Sequence, residues 1–178
     1  MTNKKFIPIS LVILFVLLMT LFIYRKPIQE QITASRNRIE IVNTIESFYK
    51  DYIQAINTNQ NWPELVQKYT QGRASEALSM NAVFLLESAS IGSQHLASII
   101  SPIIVRFYDL TPESAKALVD FEMKQQVVGN PNQIAEVQKL LVLERSENRW
   151  IITEDLDRSD RFNEWINQQN FPTAKLSY

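Results

Sequence analysis

The chain has 178 residues, 46% of them hydrophobic and 21% charged, with a formal net charge of −1. A balance so near neutrality excludes the basic surface that nucleic acid demands, and no nucleic-acid partner is expected. With no cysteine, one histidine and three glycines, a zinc site and a glycine-rich phosphate loop are excluded as well, so neither metal nor cofactor is expected.

The first element is an apolar run from Phe6 to Tyr24, FIPISLVILFVLLMTLFIY. At about 1.5 Å per residue a helix of this length just crosses a hydrocarbon core of roughly 30 Å. Lys4 and Lys5 ahead of it would also suit a cleaved secretory signal. Against that, the run exceeds the usual apolar length of about 7 to 15 residues. It also ends in Tyr24-Arg25-Lys26-Pro27, where cleavage needs small residues. A single-pass, uncleaved anchor is therefore expected over residues 1–26. It holds no ionisable group that would mark a transport path. Lys4 and Lys5 stand before the span and Arg25, Lys26, Arg36 and Arg38 after it, so charge leaves its sidedness open. The part that follows is expected outside the cytoplasm. Freedom from cysteine suits an oxidising compartment and is equally common in a reducing one.

Residues 27–37 are polar and short, a linker or the start of a helix rising from the membrane. From Arg38 to Ile56 the apolar residues Ile41, Ile45, Phe48, Tyr49, Tyr52, Ile53 and Ile56 recur at three and four, one stripe of a long amphipathic helix. Asn57-Thr58-Asn59-Gln60-Asn61 ends it. A second, short helix begins at Trp62-Pro63, with proline tolerated in the first turn, and stops before Gly72. A third covers Ser75 to Glu87, with Ala77, Leu78, Val83, Phe84 and Leu85 as candidates for the core. Ala89 to Ser101 carries no clear period.

After Pro102 the period becomes two. Val105 and Phe107 alternate with Arg106 and Tyr108. In the strand Ala115 to Gln125, Ala117, Val119, Phe121 and Met123 form the inward face, while Lys116, Leu118, Asp120, Glu122 and Lys124 face outward. Gly129-Asn130-Pro131-Asn132 signals a turn to a strand from Val137 to Arg145, and Ser146-Glu147-Asn148 a turn to Trp150 to Asp155. Three helices followed by an antiparallel meander of about four strands define an α+β domain over residues 38–156. Residues 157–178 form a helix or tail, with Arg161 to Asn170 as the helical candidate.

Two stretches, IQAINTNQNWPELVQKYT and LLVLERSENRWIITE, together with this order of elements, resemble the nuclear transport factor two-like (cystatin-like) superfamily. The first is similar to its opening of helix, polar break and short helix; the second is similar to its terminal hairpin, with tryptophan just after the turn. The resemblance implies helices lying in the concave face of a curved antiparallel sheet. With a membrane helix in front, the chain is similar to bitopic proteins of this fold: type IV secretion assembly subunits, Mce-associated membrane proteins, and cyanobacterial or plastid division-related domains.

Enzymes on this fold would place a carboxylate or histidine between sheet and helices. Here the acids of the clearest strand, Asp120 and Glu122, face outward. His95 stands alone without an acidic or nucleophilic partner, the pattern of a surface or capping residue. The acidic run Glu154 to Arg161 has arginines interleaved and lacks the spacing and glycine of a calcium loop, so it is expected to be a solvated, self-paired surface. If the two long strands pair, Leu118, Leu140 and Val142 cluster on the outer face of the sheet, away from the helices, as a candidate interface. Phe162 and Trp165 in the tail either pack back on the domain or offer an apolar anchor to a partner. The function expected is that of a non-enzymatic, membrane-anchored assembly or scaffold subunit, bound to other membrane-complex proteins or to copies of itself. A binding protein for a small apolar or lipid ligand in the concave pocket, and an isomerase-type enzyme, are the alternatives.

Overall fold

The computed structural model describes residues 9–127 and 132–157, with side chains for Met19 and for 29–127 and 132–156. Two compact units divide the chain, Met1–Arg38 and Ile39–Tyr178. Helix α1 (Ile9–Thr58) runs through both, so the polar stretch 27–37 is helical. Among the described residues, no helix is long and apolar enough to cross a membrane. The side chains of the run Phe6 to Tyr24, Met19 apart, lie outside the described set.

In the second unit α1 is followed by α2 (Trp62–Tyr69), α3 (Gly72–Ser90) and five strands, which is the expected α+β order. Asn61 enters the left-handed region at φ 64 to start α2, Pro63 sits in its first turn, and Glu64 and Lys68 lie at the ends that the helix dipole favours. Gly72, at φ +56, makes the turn into α3, where a side chain would be strained.

The strands are β1 (His95–Ile99), β2 (Ile104–Leu110), β3 (Ser114–Val127), β4 (Gln133–Ser146) and β5 (Arg149–Asp157). They form one antiparallel sheet of order β1-β3-β4-β5, with β2 also pairing β3. The stretch without a clear period thus supplies a fifth strand. β3 is long enough to pair β2 along its first half, Ala115 to Asp120, and β1 along its second, Met123 to Val127. β1 escapes a period-two search because only Ala97 in it is fully buried. Its outer edge is held instead by Asn57 of α1, whose amide accepts from Ala97 N–H at 2.7 Å and donates to Ala97 C=O at 2.9 Å, as a neighbouring strand would. The turn between β4 and β5 has Glu147 and Asn148 at φ 48 and 69, the pair of positive angles that a two-residue hairpin of matching twist requires. The turn signal Gly129 to Pro131 lies outside the described residues.

The core fills the space between helices and sheet. Ile41 and Ile45 are fully buried, with Phe48 and Tyr49 close behind, against the inner-face residues Ala117, Val119 and Phe121. An aromatic cluster fastens the elements together. Phe48 packs on Tyr49, Tyr52 and Tyr69 at 5.0, 5.9 and 5.7 Å, and Tyr49 meets Phe121 of β3 at 4.7 Å. In α3 the buried stripe is Ala74, Leu78, Ala82 and Leu85. Val83 and Phe84, expected in the core, are instead 54% and 61% exposed. The small alanines take the buried positions because α3 lies against β5, with Gly72 close to Thr153 and Arg73 3.9 Å from Glu154.

Asp51 of α1 accepts from Tyr69 Oη at 2.7 Å and Lys68 Nζ at 3.0 Å, tying α1 to α2. Burial works to raise the Asp51 pKa, but the hydrogen bonds from Tyr69 and Lys68 outweigh it and hold the carboxyl below its ordinary value. The stability this contributes is present above the unfolded carboxylate value of about 4 and is lost as pH falls through the lower folded value. Asp51→Asn is expected to cost ~1 kcal/mol at neutral pH, a modest figure because the pair is partly solvated. Thermal melts should show that difference shrink as pH falls below the unfolded carboxylate value of about 4; a gap that stays constant there would mean the carboxylate's charge is not its source.

Candidate functional site

The concave side of the sheet and helices α1 and α3 line two cavities that are open to solvent, of about 670 and 590 Å³. Tyr52, Asn81 and Gln125 line both. Asn81 Nδ2 donates to Tyr52 Oη at 2.6 Å, bridging α1 and α3 where the two spaces meet. Phe48, Tyr49, Phe121 and Met123 give the larger cavity apolar walls. Each lies within the volume range of about 300 to 1,000 Å³ common for small-molecule sites.

A charge pair also reaches the larger cavity: Lys139 Nζ lies 3.2 Å from Asp155 Oδ1, both side chains about three-quarters buried. Lys139 follows from simple alternation, sharing the inner face with Val137, Leu141 and Leu143. Asp155 does not. The β4–β5 register shifts between Val142 and Leu143, so that Ile152 faces Leu143 but Asp155 faces Leu141. Such a bulge turns the following residues over, and Asp155 of the acidic run points inward instead of joining a solvated strip. Arg158 to Arg161 lie outside the described residues.

His95 opens β1 and lines the smaller cavity. No acid stands among that cavity's described lining residues; its polar members are asparagine, glutamine and tyrosine. Among the described residues no group of three or more His, Asp or Glu is arranged to hold a metal. Asp120 and Glu122 project from β3 away from the cavities, and Asp120 is engaged by Arg106 and by Gln138 Nε2 at 2.6 Å.

Leu118, Leu140 and Val142 lie on the outer face, as alternation sets them. They are not an open patch. Leu118 is 5% and Leu140 0% exposed, closed in with Tyr108 and Leu156, and Val142 is half-buried. Phe162 and Trp165 lie outside the described residues. The exposed apolar surface is elsewhere. On α3, Met80, Val83 and Phe84 are 75%, 54% and 61% exposed, and Ile91 just past its end is 81% exposed; Phe84 also borders the smaller cavity. The sequence of α3 alone does not say which of its apolar residues meet the sheet: Ala77, Val83 and Phe84, all expected in the core, are exposed, while Ala74 and Ala82 are buried.

Neither a protein-family model nor a curated protein sequence matches the chain. Among solved structures, the fold is similar to that of the intermembrane space region of the chloroplast protein ARC6, with a TM-score of 0.51 at 14% identity, covering 65% of this chain and 91% of that one. A hexachlorocyclohexane dehydrochlorinase (LinA, type 2) is matched with a TM-score of 0.44 at 12% identity, covering 70% of this chain and 90% of the other. At these identities the likeness is one of fold alone, helices followed by an antiparallel sheet.

Proposed function

We propose that the chain is a non-enzymatic assembly subunit, held to a membrane by the apolar run Phe6 to Tyr24, whose α+β unit binds another protein outside the cytoplasm through the outward stripe of α3. The observation that carries this reading is the stripe itself. Met80, Val83 and Phe84 at helical spacing, each more than half exposed, form the kind of contiguous apolar patch that monomeric proteins rarely leave in water. A partner matching it presents an apolar groove wide enough for one helix face. The length and basic flanks of the run support the anchor, and placement of the unit outside the cytoplasm rests on the resemblance to bitopic proteins of this fold.

Full-length chain extracted in mild detergent from its native membrane is the material for the test. The natural chain is expected to migrate in a complex larger than itself, and the double variant Met80→Asp, Val83→Asp, at two exposed positions that line neither cavity, to migrate free of it. Both positions are solvated, so thermal stability should change by only about 0.5 kcal/mol. A variant that keeps the complex overturns the α3 face. A natural chain that migrates alone, with a small molecule retained in its native mass spectrum, overturns the assembly role in favour of ligand carriage in the concave cavities.

A further inference from the structure

We propose, resting on the reading of the α3 stripe as an interface, that its occupant is a second copy of this chain. The two α3 helices pack antiparallel about Met80, so that Arg73 of each copy meets Glu87 of the other.

Two charges on α3 oppose their own helix. Backbone dipoles leave a helix positive at its N-terminal end and negative at its C-terminal end, so acids suit the first turn and bases the last. The first turn of α3 holds no acid and its last turn no base. It carries the reverse, Arg73 at the start and Glu87 at the close, both exposed. Within its own chain Arg73 has only a loose contact, 3.9 Å from Glu154, and its side chain is 67% exposed. An antiparallel copy reverses the sign of both placements: its Glu87 comes to the N-terminal end of this α3 and its Arg73 to the C-terminal end.

The middle of the stripe fits the same pairing. Arg73, Met80 and Glu87 follow one another at intervals of seven residues, two helical turns, and so share one face. Between the charges, Met80, Val83 and Phe84 border an open hollow of about 400 Å³. A patch that is basic at one end, acidic at the other and apolar between them is complementary to itself under a two-fold rotation, which is what an isologous contact requires. The unbranched, adaptable side chain of Met80 suits the hollow of the facing copy. Charge also fixes the register. With Met80 on the axis, Arg73 faces Glu87 at both ends and Ala77 faces Val83, small against large. Sliding one copy by three residues, to set Met80 against Val83, brings Glu76 onto Glu87, and a parallel pair stacks like charges at both ends.

The test uses the full-length chain in the same detergent extract. The chain has no cysteine, so Met80→Cys supplies one thiol on the axis. Arg73→Cys supplies one that the antiparallel pair holds about 20 Å from its counterpart. A short bismaleimide is expected to join two chains of Met80→Cys and to leave Arg73→Cys unlinked. Added to Met80→Cys, either Arg73→Glu or Glu87→Arg alone should cut the linked fraction about five-fold. The two together should restore it, because each reversed charge again finds its opposite. Every variant should still melt in one transition, since the substituted positions are exposed. Linking of Arg73→Cys overturns the antiparallel arrangement. A linked fraction indifferent to the single reversals, or not restored by the double one, overturns the pairing of Arg73 with Glu87. If Met80→Cys stays unlinked while the natural chain still migrates in a larger complex, the second copy is overturned and the assembly reading stands; a chain that migrates alone overturns both.

Discussion

Val119→Arg is expected to leave no cooperatively unfolding protein. Val119 is fully buried on the inner face of β3, paired between β2 and β4, with the core of α1 above it. An arginine there is too large for the packed face and stands directly opposite Lys139, a second cation that already holds Asp155, and a poorly compensated buried charge costs ~3–5 kcal/mol, a large part of what a domain of this size has to lose. Across the sheet, Val142→Arg changes a half-buried position where the stem can run along the surface and the guanidinium stay wet. It should melt as one transition, within about 1 kcal/mol of the natural chain. Leu140→Arg belongs nearer the first case, because its leucine is fully buried. If circular dichroism shows Val119→Arg and Val142→Arg unfolding alike, the assignment of faces in β3 and β4 is wrong.

Phe48→Ala is expected to lower the melting temperature by roughly 10 to 15 °C. Truncating a buried phenylalanine costs ~3–5 kcal/mol in lost transfer energy and residual cavity, and a unit of this size moves about 3 °C per kcal/mol. Phe48 is the ring on which Tyr49, Tyr52 and Tyr69 converge, so one truncation loosens α1 from α2 together. It also lines the larger cavity, which the truncation enlarges. A loss under about 1.5 kcal/mol would show that the tyrosines close over the gap.

The sequence made the period-two face of β3 legible because Ala117, Val119, Phe121 and Met123 are apolar without interruption and all four are buried. The β4–β5 hairpin and the proline-started α2 were legible for the same reason: their signals are local. What stayed hidden depends on distant chain. α3 buries Ala74 and Ala82 while exposing Phe84, a choice made by how closely the helix approaches β5 and not by its own hydrophobicity. The bulge opposite Val142 and Leu143 turns Asp155 into the cavity, and no residue type marks it. β1 is a strand because β3 extends past β2 and because Asn57 serves its free edge; residues 89–101 alone cannot reveal either. The open-patch reading of Leu118 and Leu140 had the right face, but alternation reports only which way a side chain points, not what lies above it.

The order in which the chain is made acquires a meaning from β5. Trp150 and Ile152 of this last strand close over the core of α1, and the bridge between Thr70 and Ile152 fixes the junction of α2 and α3 to it. Each described helix is synthesised before the strand that seals it. Until Asp157 has left the ribosome, Ile41, Ile45 and Phe48 have an unfinished sheet to pack against, and long-range pairing of this kind forms slowly. The nascent protein therefore passes through a stage in which the apolar stripe of α1 is made but unsheltered.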